Sequence, residues 1–168
     1  MSKIVRSASA AVRRMSVTSS RSFDQVMAVL DAATGHPDMA AFLRDVGAAG
    51  TDAELESVVR AAAGPSGLIE FARFDLGAVL RKSPDGRPGR SLRLLIGNPV
   101  IMKQMARHVP DAGSYAPVSV LVDERADGVR LSYDAMAGFL APFENPDASK
   151  VAESLDSRME ALLTAAAG

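Results

Sequence analysis

Three polar residues in the middle of the chain could take part in ligand chemistry. Asp75 follows the segment LIEFARF, Asn98 lies in a Gly–Asn–Pro turn, and Tyr133 ends the segment VRLSY. A carboxylate can act as a general base, and a tyrosine presents a hydroxyl on an apolar ring that suits a pocket wall or an interface. Asn98 stands at a predicted helix start, where backbone N–H groups and the helix dipole attract carboxylates and phosphates. Asp75, Asn98 and Tyr133 are therefore the predicted ligand-binding positions.

Two of these residues also have a purely structural interpretation. Asn98 followed by Pro99 is typical of a helix N-cap, which stabilises a helix by about 1 kcal/mol. Tyr133 ends a predicted strand, and we expect it to be a core residue with its hydroxyl at the rim.

Two carboxylates occur on the predicted strand that ends near Asp75. Glu70 lies five residues before Asp75, so a regular strand places the two side chains on opposite faces. Because paired acid–base carboxylates must converge within a few ångströms, no such pair is expected. Instead, one carboxylate is expected to be solvated and the other to pair with Arg73 or Arg93.

The chain has no cysteine and two histidines, which removes thiol catalysis, disulfides and thiolate metal sites. His36 lies in a Gly–His–Pro turn and His108 near the end of a predicted helix, with no ligand spacing between them. The sequence contains no Gly-x-Ser-x-Gly nucleophile motif and no Gly-rich phosphate loop. It therefore predicts neither a metal site nor a cofactor.

Charge and length limit the classes of partner. Lys plus Arg number 19 against 20 Asp plus Glu, a net charge of −1, which gives no general attraction to nucleic acids or anionic membranes. No segment approaches the roughly 20 apolar residues that cross a bilayer. A chain of 168 residues, 48% of them hydrophobic, can bury its own core. We expect a cytoplasmic protein without nucleic-acid or membrane partners.

Residues 1–14 are predicted to be a flexible basic leader ahead of a single domain at 15–168. Lys3, Arg6, Arg13 and Arg14 lie in the leader, and the first acidic residue is Asp24. A frayed terminus explains this composition. An acid-free start rich in Ser, Ala and Arg is also typical of organelle targeting peptides, and basic arms contact phosphates or partner proteins. The three interpretations stay open.

Local patterns predict helices at both ends of the chain and strands in the middle. Capping boxes and apolar spacing predict three helices between residues 22 and 63, and an amphipathic helix follows Asn145. A helix is also predicted from Val100 to Val109, closed by Pro110. The predicted strands are Met15–Ser19, Leu68–Phe74 (continuing with a bulge at Gly77 to Leu80), Leu92–Ile96, Val118–Asp123 and Val129–Tyr133. The predicted fold class is α+β, a mainly antiparallel sheet with helices packed on it.

The order of features from Phe71 to Tyr133 resembles the bacterial family known as domain of unknown function 302. The segments that carry the resemblance are FARFD, LLIGNP, the Pro-led VSVLVDE and DGVRLSY. The resemblance extends over roughly residues 15–165, and it makes residues 36–63 a helical insertion.

The resemblance implies a small α+β fold, a homodimer and no established reaction. In that family the residue after the aspartate of the FARFD-like segment is usually His, whereas here it is Leu76. Chemistry that depends on that imidazole is therefore not expected. The residues after Pro99, VIMKQM, also replace a small Gly–Thr pattern, which disfavours a close approach of a ligand to this helix.

Two hypotheses about function follow. The leading one is a non-enzymatic dimeric module that binds a small, partly apolar ligand or a partner protein, because reactive residues are scarce and apolar helical faces are abundant. The alternative is a metal-independent enzyme that acts on a small anionic substrate. In that enzyme Asp75 would be the base, and Tyr133 and the helix start at Asn98 would orient the substrate.

Overall fold

Five antiparallel strands form one sheet in the order β1-β5-β4-β3-β2 in the computed structural model, which describes residues 7–86 and 88–168. The strands are β1 (Arg14–Ser19), β2 (Ile69–Asp75), β3 (Ser91–Gly97), β4 (Val118–Arg125) and β5 (Gly128–Asp134). The helices are α1 (Phe23–Ala33), α2 (Met39–Ala48), α3 (Asp52–Ala62), α4 (Leu76–Leu80), α5 (Pro99–Ala106), α6 (Met136–Leu140) and α7 (Pro146–Ala167). This architecture confirms the predicted α+β fold.

The predicted capping boxes are confirmed. The Ser22 Oγ accepts from the Gln25 N–H at 3.3 Å, and the Gln25 Oε1 accepts from the Ser22 N–H at 2.9 Å. Thr51 and Glu54 form a second reciprocal pair at the start of α3. These side chains satisfy N–H groups that a helix start leaves without partners, and so they fix where α1 and α3 begin.

Helices α1, α5 and α7 cover one face of the sheet. Leu94, Val120 and Leu131 of the strands are fully buried there, together with Leu30 of α1 and Leu163 of α7. Each such side chain contributes about 1.5–3 kcal/mol when removed from water. This layer is the main core, and it makes the sheet a rigid support for the surfaces at its ends.

Helices α2 and α3 build a second, smaller core. Phe42 and Val59 pack on Ile69 of β2, and Phe71 meets Phe42 edge-on with ring centroids 6.1 Å apart. Strand alternation directs Ile69 to the face opposite Glu70. The helix pair therefore covers the β2 end of the other face of the sheet.

Two glycines bring the ends of this helix pair together. The Gly35 N–H and the Gly64 N–H both donate to the Leu68 carbonyl, at 2.8 and 3.1 Å. A Cβ added to Gly35 would lie 1.8 Å from the Ala62 carbonyl oxygen, and one added to Gly64 would lie 2.7 Å from the Gly35 nitrogen. Only glycine allows so close a crossing. That residues 36–63 are an insertion stays a prediction.

Part of the second sheet face is open. Cross-strand pairing places one residue of each strand in a row across this face: Ser16, Ser132, Leu121, Arg93 and Phe74. Ser16, Arg93 and Phe74 are exposed. An antiparallel sheet can leave one face to solvent in this way, and the open row is available for contacts with other molecules.

Strand β2 ends earlier than predicted. The expected continuation over Gly77–Leu80 is wrong, because the Asp75 Oδ1 accepts from the Ala78 N–H at 2.8 Å and starts the short helix α4. The irregularity in the ladder lies between Glu70 and Ala72 instead. A short polar side chain that binds a nearby backbone N–H competes with strand pairing.

Helix α5 ends at Ala106 and not at the predicted Val109. Val109 has an extended backbone, with φ −132° and ψ 93°, because a residue that precedes proline avoids the helical region. A short 3-10 turn over Pro110–Ser114 then leads to β4.

The predicted leader is described in part. Residues 1–6 lie outside the described residues, and residues 7–13 have no regular structure. The Ala135 N–H donates to the Arg13 carbonyl at 3.0 Å, which fixes the chain just before β1. Among the described helices, none is long and apolar enough to cross a membrane.

Candidate functional site

A groove lies beside Pro117, at the end of the sheet where β3 passes into α5 and β4 begins. Two hollows share Pro117 as a wall. The apolar hollow, of about 110 Å³, is lined by Phe71, Asn98, Pro99, Met102, Ala116 and Pro117. The polar hollow, of about 170 Å³, is lined by residues that include Arg93, Tyr115, Ser119, Asp134 and Phe139. We name the two hollows together the Pro117 groove.

The close contact of Gly97 with Pro117 shapes the groove. A Cβ added to Gly97 would lie 3.1 Å from the Pro117 Cβ and 3.7 Å from the Phe71 ring. The Ala116–Pro117 peptide bond is cis. Because position 97 carries no side chain, Pro117 lies directly on the end of β3, between the two hollows.

Asn98 caps α5, as predicted, and both its amide oxygen and its amide nitrogen bond to the backbone. The Oδ1 accepts from the N–H groups of the second and third helical residues at 2.8 and 3.2 Å, and the Nδ2 donates to the Gly67 carbonyl at 2.8 Å. Pro99 has no N–H, and the Met102 N–H donates to the Asn98 carbonyl at 3.0 Å. The first turn of α5 therefore has no N–H group left for an anion.

Arg93 gives the polar hollow a positive charge. Its Nε donates to the Ser119 Oγ at 2.7 Å, and among the described residues no carboxylate forms an ion pair with it. The neighbouring Asp134 is held by Arg14 through two hydrogen bonds of 2.7 Å, which lower the pKa of Asp134. The terminal nitrogens of Arg93 are thus the donors that an anion in this hollow would meet.

An aromatic pair forms the apolar wall of the polar hollow. The rings of Tyr115 and Phe139 stack with centroids 4.9 Å apart and planes inclined by 16°. Stacked rings present a large, rigid apolar surface. The Pro117 groove therefore combines apolar walls with a single available cation.

Tyr133 lies under the helices, away from the groove surface. It is 2% exposed, and its hydroxyl donates to the Asp156 Oδ1 at 2.6 Å. Asp156 also accepts from the N–H groups of Met136 and Ala137 at 2.7 and 3.0 Å, so it caps α6 from α7. Burial, reinforced by the bond to Asp156, raises the pKa of Tyr133 above its usual value. This hydroxyl holds the fold together.

Asp75 lies at the far end of β2 from the groove. It caps α4, and the Arg81 Nη2 approaches its Oδ2 at 3.8 Å. The β2–β3 register pairs Asp75 with Leu92 at one end and the first residue of β2 with Gly97 at the other. Six residues of strand therefore separate Asp75 from Asn98, roughly 20 Å. Of the three predicted positions, the structure brings only Asn98 to the groove.

Glu70 pairs with Arg73, as predicted for one of the two carboxylates. Glu70 is buried and accepts two hydrogen bonds of 2.7 and 2.8 Å from Arg73, which also binds Asp31. The bonds to Glu70 raise the pKa of Arg73. Asp31, His36 and Glu70 offer possible metal-ligand atoms within 4.8 Å of one another. Because the guanidinium already lies between the two carboxylates, the arrangement is an ion-pair network of the fold.

Two residues with special roles, Asp156 in the fold and Arg93 in the groove, were not identified as such from the sequence. Asp156 lies four residues after Ala152 and three before Met159, so it falls on the apolar stripe of the last helix. That position indicates a buried carboxylate that needs donors. The sequence around Arg93 gives no comparable indication, because residues from distant parts of the chain decide whether a carboxylate pairs with it.

Comparison with known proteins identifies a matching family and a similar solved structure. The model of the family described as "Domain of unknown function DUF302" matches residues 46–166. The crystal structure of an uncharacterized conserved protein DUF302 from Bacillus stearothermophilus is similar with a TM-score of 0.64 and 12% sequence identity, over 92% of this chain and 98% of that chain. No curated protein shows significant similarity to the chain. At 12% identity the structural likeness shows the fold alone.

Proposed function

We propose that this chain, which belongs to the DUF302 family, is a non-enzymatic module that binds a small, partly apolar ligand. The ligand lies in the Pro117 groove, with its apolar part against Phe71, Met102 and Pro117 and an anionic group on Arg93. One observation carries the proposal. The guanidinium of Arg93, with no ion-pair partner among the described residues, lines a hollow that shares a wall with an apolar one.

The size of the groove limits the ligand. Pockets for drug-sized molecules measure roughly 300–1,000 Å³, whereas an apolar cavity of about 150 Å³ holds benzene. The apolar hollow of about 110 Å³ and the polar hollow of about 170 Å³ therefore suit a single ring or a short aliphatic chain with one acidic group. A carboxylate can accept two parallel hydrogen bonds from an arginine.

The separation of polar residues supports binding over catalysis. The alternative enzyme needs Asp75, Tyr133 and the α5 start at Asn98 to face one substrate. Asp75 lies at the opposite end of β2, the Tyr133 hydroxyl is buried on Asp156, and the first N–H groups of α5 are bound by Asn98. General acid–base chemistry requires groups within hydrogen-bond reach of the substrate, and these three groups do not share a surface.

Titration with phenylacetate, followed by NMR of backbone amides, tests the ligand proposal. We expect saturable shifts around Gly97, Met102 and Ser119. Arg93→Gln should weaken phenylacetate binding by about tenfold, the value of one charge-assisted pair, and should leave the weaker binding of uncharged benzyl alcohol unchanged. Arg44→Gln, at an exposed arginine of α2, is the matched control and should bind like wild type. Absence of saturable shifts, or equal weakening by both substitutions, would contradict the proposal.

We also propose that the chain forms a homodimer through an exposed apolar patch on β2 and α4. Phe74, Val79 and Leu80 are 47%, 70% and 44% exposed. The patch carries both signs of charge, since Asp75 and Arg81 adjoin it. In a twofold dimer the same patch meets itself, so the Asp75 of each copy can approach the Arg81 of the other. This self-complementarity favours a second copy as the occupant.

Light scattering after size exclusion tests the dimer. Val79→Glu places a charge in the patch and should convert the dimer to a monomer. Leu43→Glu, at another exposed apolar position, on α2 (58% exposed), is the control and should leave the dimer intact. A wild-type protein that is monomeric at every concentration would contradict the proposal.

We also propose that the protein is cytoplasmic, and fractionation of cells that express the full chain would test this location.

A further inference from the structure

A second cleft lies between α5 and α7, and it shares no lining residue with the Pro117 groove. Its volume is about 430 Å³, which falls within the range of metabolite pockets. Ile101 of α5 and Val151 and Leu155 of α7 supply its apolar part, and Gln104 and Ser154 supply neutral hydrogen-bonding groups. The cleft can therefore hold both polar and apolar parts of a small molecule.

The charges of this cleft differ from those of the chain as a whole. Arg107, Lys150 and Arg158 line it together with His108, against a single carboxylate, that of Asp147. The whole chain has a net charge of −1. Within the described part of the chain, none of the three cations forms an ion pair with a carboxylate. The cleft is thus a local excess of available positive charge.

Two of the cations lie far apart along α7. The Arg158 Nη1 donates to the Ser66 carbonyl at 3.0 Å, and the Asn98 Nδ2 donates to the adjacent Gly67 carbonyl at 2.8 Å. Arg158 therefore lies beside the start of α5. Lys150 lies eight residues earlier on α7, roughly 12 Å along the helix axis.

The end of α5 contributes the third cation. Arg107 follows the last residue of α5, and its Nε donates to the His108 Nε2 at 3.0 Å. Both side chains line the cleft. Arg107 lies at the opposite end of α5 from Arg158, and Lys150 lies roughly 12 Å from Arg158 along α7. Two separated anionic groups would therefore each meet a cation.

We propose that the α5–α7 cleft binds a small molecule of the phosphate class that carries two or more anionic groups. Phosphate oxygens accept several hydrogen bonds, and arginine binds them through two parallel N–H groups. The spacing of roughly 12 Å between Lys150 and Arg158 exceeds the reach of one phosphate, so a single orthophosphate uses only one end. The apolar part of the cleft accommodates an organic portion between the phosphates.

Equilibrium titrations of the full chain with tripolyphosphate, orthophosphate and citrate test the proposal. We expect one-to-one binding of tripolyphosphate with a dissociation constant below about 1 mM, and about tenfold weaker binding of orthophosphate and of citrate. Lys150→Gln and Arg107→Gln should each weaken tripolyphosphate binding by about tenfold. Arg60→Gln, at an exposed arginine of α3 outside the cleft, should change it by less than about twofold.

Several results would overturn this assignment. They are no saturable binding of tripolyphosphate, equal weakening by Arg60→Gln, or citrate binding as tight as tripolyphosphate. A single-stranded oligonucleotide that binds more tightly than tripolyphosphate would also overturn it, because it would indicate a nucleic-acid surface. Amide shifts at Gln104 and Ser154 should accompany binding, and shifts confined to other regions would contradict the location. Phenylacetate binding at the Pro117 groove is independent of all these outcomes.

Discussion

The Tyr133 hydroxyl lies 2.6 Å from the Asp156 Oδ1, and this hydrogen bond joins β5 to α7 inside the protein. Asp156 also accepts from the first two N–H groups of α6, so one buried carboxylate connects three elements. A buried charge is tolerated when several donors surround it. The relationship explains why an acidic residue occupies the apolar face of the last helix.

Removal of the Asp156 carboxylate should destabilise the protein strongly. Asp156→Ala leaves the Tyr133 hydroxyl and the Ala137 N–H without an acceptor, and it leaves the Met136 N–H with only the Tyr133 oxygen at 3.2 Å. We therefore expect a loss of about 3 kcal/mol in the free energy of unfolding. Asp156→Asn keeps one acceptor oxygen and should lose less. Urea unfolding measures both variants, and a loss below about 1 kcal/mol for the alanine variant would show that the network carries little stability.

The raised pKa of Tyr133 predicts a loss of stability at high pH. An unfolded tyrosine releases its proton near pH 10, whereas folded Tyr133 keeps its proton to higher pH. Tyr133 therefore makes its full contribution to the free energy of unfolding below about pH 10. Above that pH, its contribution falls by about 1.4 kcal/mol per pH unit. Urea unfolding at several alkaline pH values measures the slope.

Tyr133→Phe is the control for this pH dependence, because other titrating groups are the same in both proteins. The difference in unfolding free energy between wild type and variant should be constant below about pH 10 and should shrink above it. A constant difference throughout the alkaline range would contradict the assignment of the raised pKa to Tyr133.

Asn98 is predicted to contribute stability through its cap. Asn98→Ala removes the acceptor for two N–H groups of α5 and the donor to the Gly67 carbonyl, and it should cost about 1–2 kcal/mol. Asn98→Asp keeps the acceptor and loses only the donor, so its cost should be smaller. Thermal or urea unfolding distinguishes them, and equal costs for the two variants would argue against the cap as the main contribution.

Substitutions of Glu70 and Arg73 should have non-additive effects on the free energy of unfolding. Arg73→Met leaves Glu70 as a buried carboxylate without its cation and should cost about 2–4 kcal/mol. The double variant Glu70→Gln with Arg73→Met removes that unpaired charge and should recover at least half of the loss. A double variant that loses the sum of the two single effects would contradict a direct coupling of these residues.

Local patterns predicted most of the fold because the bonds that define its helix starts are local. Ser22 and Thr51 bind N–H groups three residues away, and Asn98 does the same at the start of α5. Asp75 shows the limit of such reasoning. An alternating pattern favoured a longer strand, but a side-chain bond to the Ala78 N–H started a helix instead.

The candidate sites were less predictable because they depend on distant neighbours. The α5–α7 cleft is lined by both Arg107 and Lys150, which are far apart in sequence and share one cleft only because the two helices pack together. The spacing of Lys150, Ser154 and Arg158 at four-residue intervals does indicate one polar helix face. Nothing in that spacing tells whether the face meets solvent, a carboxylate or a second helix.

Because Gly35 and Gly64 are in contact, the segment between them begins and ends at the same place in the fold. The length of such a segment can change without moving its two ends apart. The α2–α3 region is therefore a place where accessory sequence could be exchanged, on condition that the new segment still covers Ile69 and Phe71 of β2.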